Sequence, residues 1–232
     1  MVQIREAHDA RTSEKRREIL EAASRVFRSR GLAATGMRDI AAELGMAVGN
    51  LYYYFDNKES LLAFCQQETL SGLLDWLNRV IAGPDRRDAQ LYLAIVAHVL
   101  RLNEASPGSL AHLDVEALEG PWRKAILERR RAYENALRDL IQDGVDGGVF
   151  RRCDAKIQAL AILGAMNWTV KWFRPIGGRT ARESGEEFAA ILTNANLRHL
   201  LSLLSSNHQR AQSLDESPFG HHPLNALAQP GL

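Results

Sequence analysis

Two short apolar stripes on either side of a glycine limit what this 232-residue chain can fold into more than any other feature. The first stripe has the i, i+3, i+4, i+7 spacing of one helical face and consists of Met37, Ile40, Ala41 and Leu44. Gly45 comes directly after it, and a glycine accepts the positive φ that ends a helix and turns the chain sharply. The second stripe consists of Val48, Leu51 and Phe55. The spacing predicts two short helices packed across a tight turn.

The residues of the second predicted helix suggest what the pair of helices binds. Tyrosines occupy positions 52–54, and they cannot all be buried because successive helical residues point about 100° apart. An outward tyrosine suits hydrogen bonds to phosphates and contact with thymine methyl groups. Gly49 and Asn50 could approach base edges, and Lys58 could contact a phosphate from the start of the next helix. The pattern favours a helix-turn-helix whose second helix enters the major groove of DNA, and an ordinary αα-hairpin is the alternative.

The run from Ile19 to about Phe64 resembles the DNA-binding domain of TetR-family transcriptional regulators. The match is dense and continuous over this segment. The residues that carry it are Ala22, Ala23, Phe27, Gly31, Thr35, Arg38, Asp39, Ile40, Ala41, Gly45, Gly49, Asn50, Leu51, Tyr52, Tyr53, Tyr54, Phe55, Lys58, Leu61 and Leu62.

The resemblance implies an all-α fold, with an N-terminal three-helix helix-turn-helix domain and a C-terminal helical ligand-binding and dimerisation domain. It implies a homodimer that represses transcription from a palindromic double-stranded DNA operator until a small molecule releases it. By matched position, it implies DNA contact for Thr35, Arg38, Val48, Gly49, Asn50, Tyr52, Tyr53 and Lys58.

Three positions depart from the family pattern. The family often has Ser or Thr where this chain has Gly36 and Ala47, and often Lys where it has Val48. Loss of a hydroxyl at Gly36 predicts a weaker N-cap for the first motif helix. Loss of a cation at Val48 removes one contact to DNA, so the operator sequence cannot be transferred from a relative.

Composition adds modest constraints. The formal net charge is +1, but residues 1–30 hold eight Lys/Arg against five Asp/Glu. We expect residues 1–12 to form a flexible basic arm that adds sequence-independent affinity for DNA, or else a solvated tail. Cys65 and Cys153 form no CxxC pattern and suggest reduced thiols. The polar N-terminus and the lack of a long apolar run predict no secretory signal and no membrane span, hence a cytoplasmic bacterial protein.

The remaining helical patterns divide the chain. We expect a helix-turn-helix domain over residues 13–57, a ligand-binding and dimerisation domain over 58–205 and a disordered tail over 206–232. The first helix should begin near Ser13. The helix from Lys58 to about Ile81 would be roughly 35 Å long, enough to connect the two domains rigidly. Further helices are expected over about 87–103, 108–118, 122–143, 155–173 and 183–205.

The last two predicted helices have the composition of a dimer interface, with small residues that allow close packing. The candidates are Leu160, Leu163, Gly164, Asn167, Leu192, Ala195 and Leu200. Two such helices from each subunit would form a four-helix interface. Core packing within one subunit is the alternative.

A second resemblance concerns the ligand. Trp168, Trp172 and Phe173, followed by Arg174 and a Pro-Ile-Gly-Gly run, resemble family members that respond to acyl-CoA thioesters. An acyl-CoA needs a long apolar tunnel and cations for its phosphates. The ligand-binding candidates are His98, His112, Trp168, Trp172 and Arg174. Two alternatives remain: a multidrug-type regulator that responds to hydrophobic cations, and a DNA-binding dimer without any effector.

Signs of catalysis are lacking in the sequence. It contains no nucleophile elbow, no glycine-rich phosphate loop after a strand, and no HExxH or CxxC pair. His221 and His222 would make a poor metal site, because two ligands in a flexible tail seldom hold an ion. We therefore expect no enzyme, no catalytic residue, no cofactor and no metal.

Overall fold

The computed structural model describes residues 2–105, 115–173 and 178–194. Within these ranges the chain forms eight α-helices and no strand, which confirms the all-α prediction. The helices are α1 (Val2–Arg30), α2 (Met37–Glu43), α3 (Val48–Tyr52), α4 (Lys58–Ala82), α5 (Arg87–Leu100), α6 (Gly120–Asp146), α7 (Ala155–Trp172) and α8 (Ala181–Asn194). A π-helical turn (Arg101–Ala105) continues α5, and a 3₁₀ turn (Val115–Ala117) precedes α6. No helix in the described ranges is long and apolar enough to cross a membrane.

Some of the predicted residues lie outside the described ranges. They are His112 and Arg174 as ligand contacts, Ala195 and Leu200 as interface residues, and the tail over 206–232. Most of the helix expected over 108–118 also lies there, as does the part of the last helix beyond residue 194.

The first helix corrects a predicted boundary. It begins at Val2 rather than near Ser13, so residues 2–12 and residues 13–30 form one continuous helix. The segment over residues 2–12 lacks glycine and proline and contains Glu, Gln, Ala and Arg, which are good helix formers. The predicted boundary between a flexible arm and a helix near residue 12 is therefore wrong, because the helical backbone runs through it.

The first four helices enclose one hydrophobic core, here called the N-terminal core. Ile19 and Phe27 from α1, Ile40 from α2 and Leu51 from α3 are almost completely buried in it, together with Leu61 from α4. Three residues from far along the chain complete the same core, and they are Val115, Leu118 and Ile126. The segment that leads into α6 is thus part of the N-terminal core, to which the first half of α4 also belongs.

A second cluster, the C-terminal core, lies among α4 to α8. Its fully buried members include Leu91 and Ile95 from α5, Leu137 from α6 and Ile162 from α7. Leu73 and Leu77 from the second half of α4 belong to it as well. Helix α4 therefore contributes side chains to both cores. A movement of α4 relative to one core also changes its packing against the other. This agrees with the connecting role predicted for the helix that starts at Lys58.

Candidate nucleic-acid interface and effector region

The turn between α2 and α3 has the geometry that its glycine predicts. Gly45 has φ of 62° and lies just past the end of α2. Its N–H donates to Ala42 O at 3.0 Å, and the N–H of Met46 donates to Ala41 O at 3.0 Å. This pair of bonds satisfies carbonyls that the helix end would otherwise leave open. Leu51 is fully buried just beyond the turn, so it fixes α3 against the N-terminal core.

The start of α2 is better capped than the sequence suggested. Gly36 has no side chain to offer, but its N–H donates to Asp39 Oδ2 at 2.8 Å. The other carboxylate oxygen, Oδ1, accepts from Arg30 Nη1 at 2.5 Å. Asp39 therefore secures the first turn of α2 and ties it to the end of α1. Asp39 thus supplies one of the two bonds of a capping box, while Gly36 offers no side-chain acceptor to the first turn of α2, as predicted.

One side of α3 faces outward and carries polar and aromatic groups. Gly49 and Asn50 are exposed, and Tyr52 and Tyr53 retain 48% and 71% of their surface. Tyr54 is half-buried, and its ring lies edge-on to that of Tyr53 with centroids 5.0 Å apart. Two of the three consecutive tyrosines are thus available to a partner, and the third supports them from the protein side.

The helix is shorter than the second apolar stripe suggested. It ends at Tyr52, and a tight turn then brings Phe55 into the N-terminal core. In this turn the N–H of Tyr54 donates to Leu51 O at 3.0 Å. Arg16 of α1 lies over this end: its Cζ is 5.6 Å from the Phe55 ring centroid, and its Nη2 donates to Tyr54 O at 3.5 Å. Sequence reasoning missed Arg16, because no local pattern links α1 to the end of α3.

Two more predicted DNA contacts lie beside α3. Arg38 is exposed on α2 and makes no hydrogen bond or ion pair within the described part of the chain. Val48 is half-buried and packs against the N-terminal core at the first position of α3. Arg38 is therefore open to a partner, whereas Val48 is mainly a packing residue with one edge exposed.

Two further predicted contacts are engaged inside the protein. Thr35 is only 2% exposed, and its Oγ1 donates to Gly31 O at 2.7 Å. The Thr35 hydroxyl is therefore engaged within the chain, which does not favour a side-chain DNA contact, and that contact stays a prediction. Lys58 is half-buried, and its Nζ donates to Leu32 O at 2.5 Å, which joins the start of α4 to the turn after α1. An ammonium has two more N–H donors, so the phosphate contact from Lys58 stays a prediction.

The predicted ligand residue His98 belongs to a buried polar network. It is 1% exposed, with Nδ1 at 2.9 Å from the Tyr133 hydroxyl and Nε2 at 3.1 Å from Asn167 Oδ1. Because an amide oxygen only accepts, Nε2 carries the proton and Nδ1 accepts from Tyr133. Burial lowers the pKa of His98 to about 4, so the ring is neutral near pH 7. Both nitrogens are occupied, which corrects His98 from ligand contact to core residue.

The same network includes Asn167. It was expected at the dimer interface because it lies on the same helix as Leu160 and Gly164. Its amide instead bonds to His98, on the inner side of α7. Leu163 and Leu192 are half-buried and pack against the C-terminal core. All three residues pack or bond within the subunit but keep some exposed surface, so their place at a dimer interface stays a prediction.

The two tryptophans do not line a cavity with His98. Trp168 is 62% exposed on α7, and Trp172 is also exposed at the end of that helix. The Trp172 ring stacks on Phe188 of α8, with centroids 5.9 Å apart and planes at 25°. The structure therefore does not bring the described ligand candidates together, and the aromatic pair lies on the surface.

An unpartnered apolar face runs along α7. The α7 stripe consists of Ile157, Leu160, Gly164 and Trp168, spaced three, four and four residues apart on one side of the helix. A Cβ at Gly164 would meet nothing within 4 Å in the described chain. Ile191 of α8 is also 61% exposed. Sequence reasoning found Leu160 and Gly164 but missed Ile157, because exposure cannot be inferred from spacing alone.

An open groove of about 610 Å³ lies between α5 and α8. Its lining consists of Tyr92, Gly178, Arg179, Glu183, Glu186, Glu187, Ala190 and Ile191. Burial and the nearby Glu186 raise the pKa of Tyr92 to about 12, so its phenol stays protonated. Three carboxylates would repel phosphates, so this groove does not suit the charged end of a coenzyme A ester. No cluster of three or more metal-ligating side chains occurs among the described residues.

The fold and these surfaces define a class of protein. A helix-turn-helix presents an outward polar and aromatic helix, and a second helical domain presents an apolar face that needs a partner. This is the organisation of a helix-turn-helix DNA-binding protein that works as a dimer.

Comparison with known families identifies the family within that class. Residues 19–64 match the family described as bacterial regulatory proteins, tetR family, and residues 84–195 match the Tetracyclin repressor-like C-terminal domain. The chain belongs to the TetR family of DNA-binding transcriptional regulators. Both the recognition of the family and the regulatory function expected from it are confirmed.

Individual relatives show how far the likeness extends. The chain is 30% identical to the HTH-type transcriptional repressor KstR2 of Rhodococcus jostii (strain RHA1), over 78% of this chain and 90% of the relative. The structure of the TetR-family regulator PfmR from Thermus thermophilus has a TM-score of 0.71, with 29% identity over 78% of this chain and 99% of that one. AibR in complex with isovaleryl coenzyme A and operator DNA has a TM-score of 0.68, with 28% identity over 78% and 97%.

Proposed function

We propose that this regulator is a homodimeric repressor that binds a palindromic operator through α3 and leaves it when an acyl-CoA thioester binds. The observation that carries the DNA-binding part is the outward side of α3, where Asn50, Tyr52 and Tyr53 are exposed together. An asparagine amide can bond in two places to adenine in the major groove, and phenol hydroxyls can bond to phosphates. Exposed Arg38 on α2 adds a cation beside them.

The α7 stripe supports the dimer. An apolar face with a tryptophan at one end is typical of surfaces that another protein covers. A palindromic operator presents two half-sites about 34–36 Å apart, so it needs two recognition helices at a fixed separation. A twofold pairing of α7 and α8 would supply both from one kind of chain. Ile157, Leu160, Trp168 and Ile191 would then be buried between the subunits.

The likeness to AibR supports the choice of effector. AibR has been crystallised with isovaleryl coenzyme A and operator DNA together, and it shares 28% identity over most of this chain. A ligand with a coenzyme A head carries several negative charges, and the groove between α5 and α8 is unsuited to them because it contains three glutamates. The proposal therefore places the thioester elsewhere in the C-terminal domain.

The same groove is the specific observation behind a second candidate. Its glutamates and the Tyr92 phenol would suit a hydrophobic cation, as in multidrug-type regulators. A DNA-binding dimer without an effector is the third candidate. In each case the protein would work on DNA in the bacterial cytoplasm, and the proposal assigns it no catalytic step.

A thermal-shift series, followed by operator release, separates these candidates. The purified protein is heated with acyl-CoA thioesters of increasing chain length, with free coenzyme A, and with quaternary ammonium compounds. A ligand at about 100 times its Kd stabilises the folded state by about 2.7 kcal/mol and raises the melting temperature. We expect a shift with acyl-CoA thioesters and release of selected operator DNA at the same concentrations. A shift with the cations alone would support the second candidate, and no shift with either ligand would support the third.

A further inference from the structure

A short segment, here called the α5 junction (residues 98–103), contacts both α7, the proposed dimer helix, and α4, the helix that connects the two cores. It comprises the end of α5 and the first residues of the π-helical turn. π-helical turns inside helices are uncommon and are often found at functional sites. In this chain Asn103 stabilises the turn, since its Nδ2 donates to Val99 O at 2.8 Å. This bond ties the π-helical part of the segment to the α-helical end of α5.

On one side the α5 junction is bonded to α7. His98 pairs with Asn167 at 3.1 Å, and Asn103 Nδ2 also donates to Thr169 Oγ1 at 2.8 Å. Thr169 is fully buried, and its hydroxyl donates in turn to Met166 O at 2.7 Å. Asn167 and Thr169 flank Trp168, whose side chain belongs to the outward α7 stripe. The orientation of the proposed dimer helix is thus fixed from within by the α5 junction.

On the other side the α5 junction is fitted to α4. The guanidinium of Arg101 lies directly on the backbone of α4 at Gly72, where a Cβ would be 2.5 Å from Arg101 Nε and closer still to the end of the guanidinium. Burial lowers the pKa of Arg101, while Glu68 and Asp75, one turn to either side of Gly72, favour its charged form. Only glycine at position 72 leaves room for this side chain.

We propose that the α5 junction sets the separation of the two DNA-binding domains, because it fixes α4 relative to the dimer helix α7. Arg101 in its place over Gly72 is the positioning contact on the α4 side, and Asn103 with Thr169 is the contact on the α7 side. The inference rests on the proposed dimer and operator. It adds the residues through which the C-terminal domain controls the recognition helices. Any ligand that favours another arrangement of the α5 junction would change the distance between the two recognition helices.

The test measures the distance between the two DNA-binding domains in the intact homodimer. A spin label is attached at Ala42→Cys, an exposed position on α2, in a Cys153→Ser background. Cys65 is fully buried and its thiol pKa is raised by burial, so it will not take the label. Pulsed electron spin resonance gives the distance between labels, and fluorescence anisotropy gives the affinity for selected operator DNA. Size-exclusion chromatography with light scattering gives the oligomeric state.

Gly72→Ala is the first variant. The added methyl must displace the end of the flexible Arg101 side chain, and alanine also favours helix over glycine, so the fold should survive. We expect the inter-label distance to shift by about 2 Å or more and operator affinity to fall about fivefold or more. Asn78→Ala, an exposed replacement on the same helix, is the control and should change neither value.

A double-mutant cycle then tests the contact itself. Leucine at position 101 lacks the guanidinium atoms that crowd position 72, so Gly72→Ala should have little further effect in an Arg101→Leu background. On the α7 side, Thr169→Val removes the acceptor for Asn103 and should shift the same distance although it lies far from α4. Its matched control is Thr193→Val, which removes a buried hydroxyl of α8 that makes no hydrogen bond in the described chain.

The outcomes separate this inference from the proposed function. Two results would overturn the role of the α5 junction and leave the proposed dimer intact. One is an unchanged inter-label distance in both Gly72→Ala and Thr169→Val, and the other is additive effects in the double-mutant cycle. A monomeric wild-type protein would overturn the proposed dimer first, and the inference with it. Non-additive shifts in the cycle and a shift in Thr169→Val, with the controls silent, would support it.

Discussion

The outward sides of α3 and α7 are both exposed and both contain aromatic residues, yet their chemistry differs. Tyr52 at the end of α3 and Tyr53 directly after it carry hydroxyls, and Asn50 beside them carries an amide, so this surface can stay hydrated until it meets a polar partner. The α7 stripe offers isoleucine, leucine and tryptophan, whose burial requires another apolar surface. Exposure alone therefore does not identify a partner. The polar atoms that remain on the exposed side chains distinguish a nucleic-acid surface from a protein surface.

The largest effect should come from placing a charge in the α7 stripe. Trp168→Glu removes a large apolar side chain from each subunit and adds an unpaired carboxylate twice in a symmetric dimer. We expect the dissociation constant of the dimer to rise about a thousandfold, or about 4 kcal/mol, as measured by analytical ultracentrifugation. Trp122→Glu is the matched control, because Trp122 is also exposed but lies on α6 outside the stripe. If the Trp168→Glu protein stays dimeric, α7 does not form the dimer interface.

A second expected effect concerns the interior, where both ring nitrogens of His98 are hydrogen-bonded within the chain. The pKa of His98 falls from 6.5 in the unfolded chain to about 4 in the fold. The unfolded chain therefore binds the extra proton between these values. The neutral His98 ring contributes fully to the free energy of unfolding above about pH 6.5. As the pH falls from there through 4, the free energy of unfolding decreases by about 3 kcal/mol.

Urea unfolding from pH 7 to pH 4 measures this dependence. His98→Gln keeps a polar amide at the site but does not titrate, so its free energy of unfolding should change less over the same range. Equal slopes for the two proteins would show that His98 titrates normally and is not sealed in the core.

The smallest of the three effects tests the α3 surface. Asn50→Ala should weaken operator binding by about 2 kcal/mol, roughly thirtyfold, because an amide contact to a base edge is lost. Dimerisation and melting temperature should stay as in the wild type, since the Asn50 side chain makes no hydrogen bond within the described residues. Asn78→Ala on α4 is the control for the same replacement elsewhere. An equal loss in both variants would mean that α3 does not enter the groove.

Sequence reasoning succeeded where the determining interactions are local. Gly45 and Met46 close the end of α2 through bonds to carbonyls three and five residues back, so the turn could be predicted from its neighbours. The tyrosines at 52–54 could be assigned because helical geometry forces at least one outward. These features need no knowledge of what packs against them.

It failed where a distant partner decides. Asn167 lies on the same helix as Leu160, but the ring of His98, 69 positions away, draws its amide inward. Thr35 is a different case, because the bond that buries its hydroxyl is local and goes to Gly31, four residues earlier. The bond from Lys58 Nζ to Leu32 O, 26 positions away, could not be predicted either, and the phosphate contact of Lys58 stays a prediction. Spacing predicts which residues share a face, but packing decides which face is buried.

The N-terminal core contains Val115, Leu118 and Ile126, and Glu119 N donates to Glu59 Oε1 at 2.7 Å beside them. The unit that would have to be transplanted to give another sensor this protein's DNA specificity is therefore discontinuous in sequence. A chimera that exchanged residues 1–57 alone would replace only part of this core and would leave its members from α4 and from residues 115–126 in place. Engineers who graft such a domain onto a new sensor should carry residues 115–126 with it, or redesign both sides of that contact together.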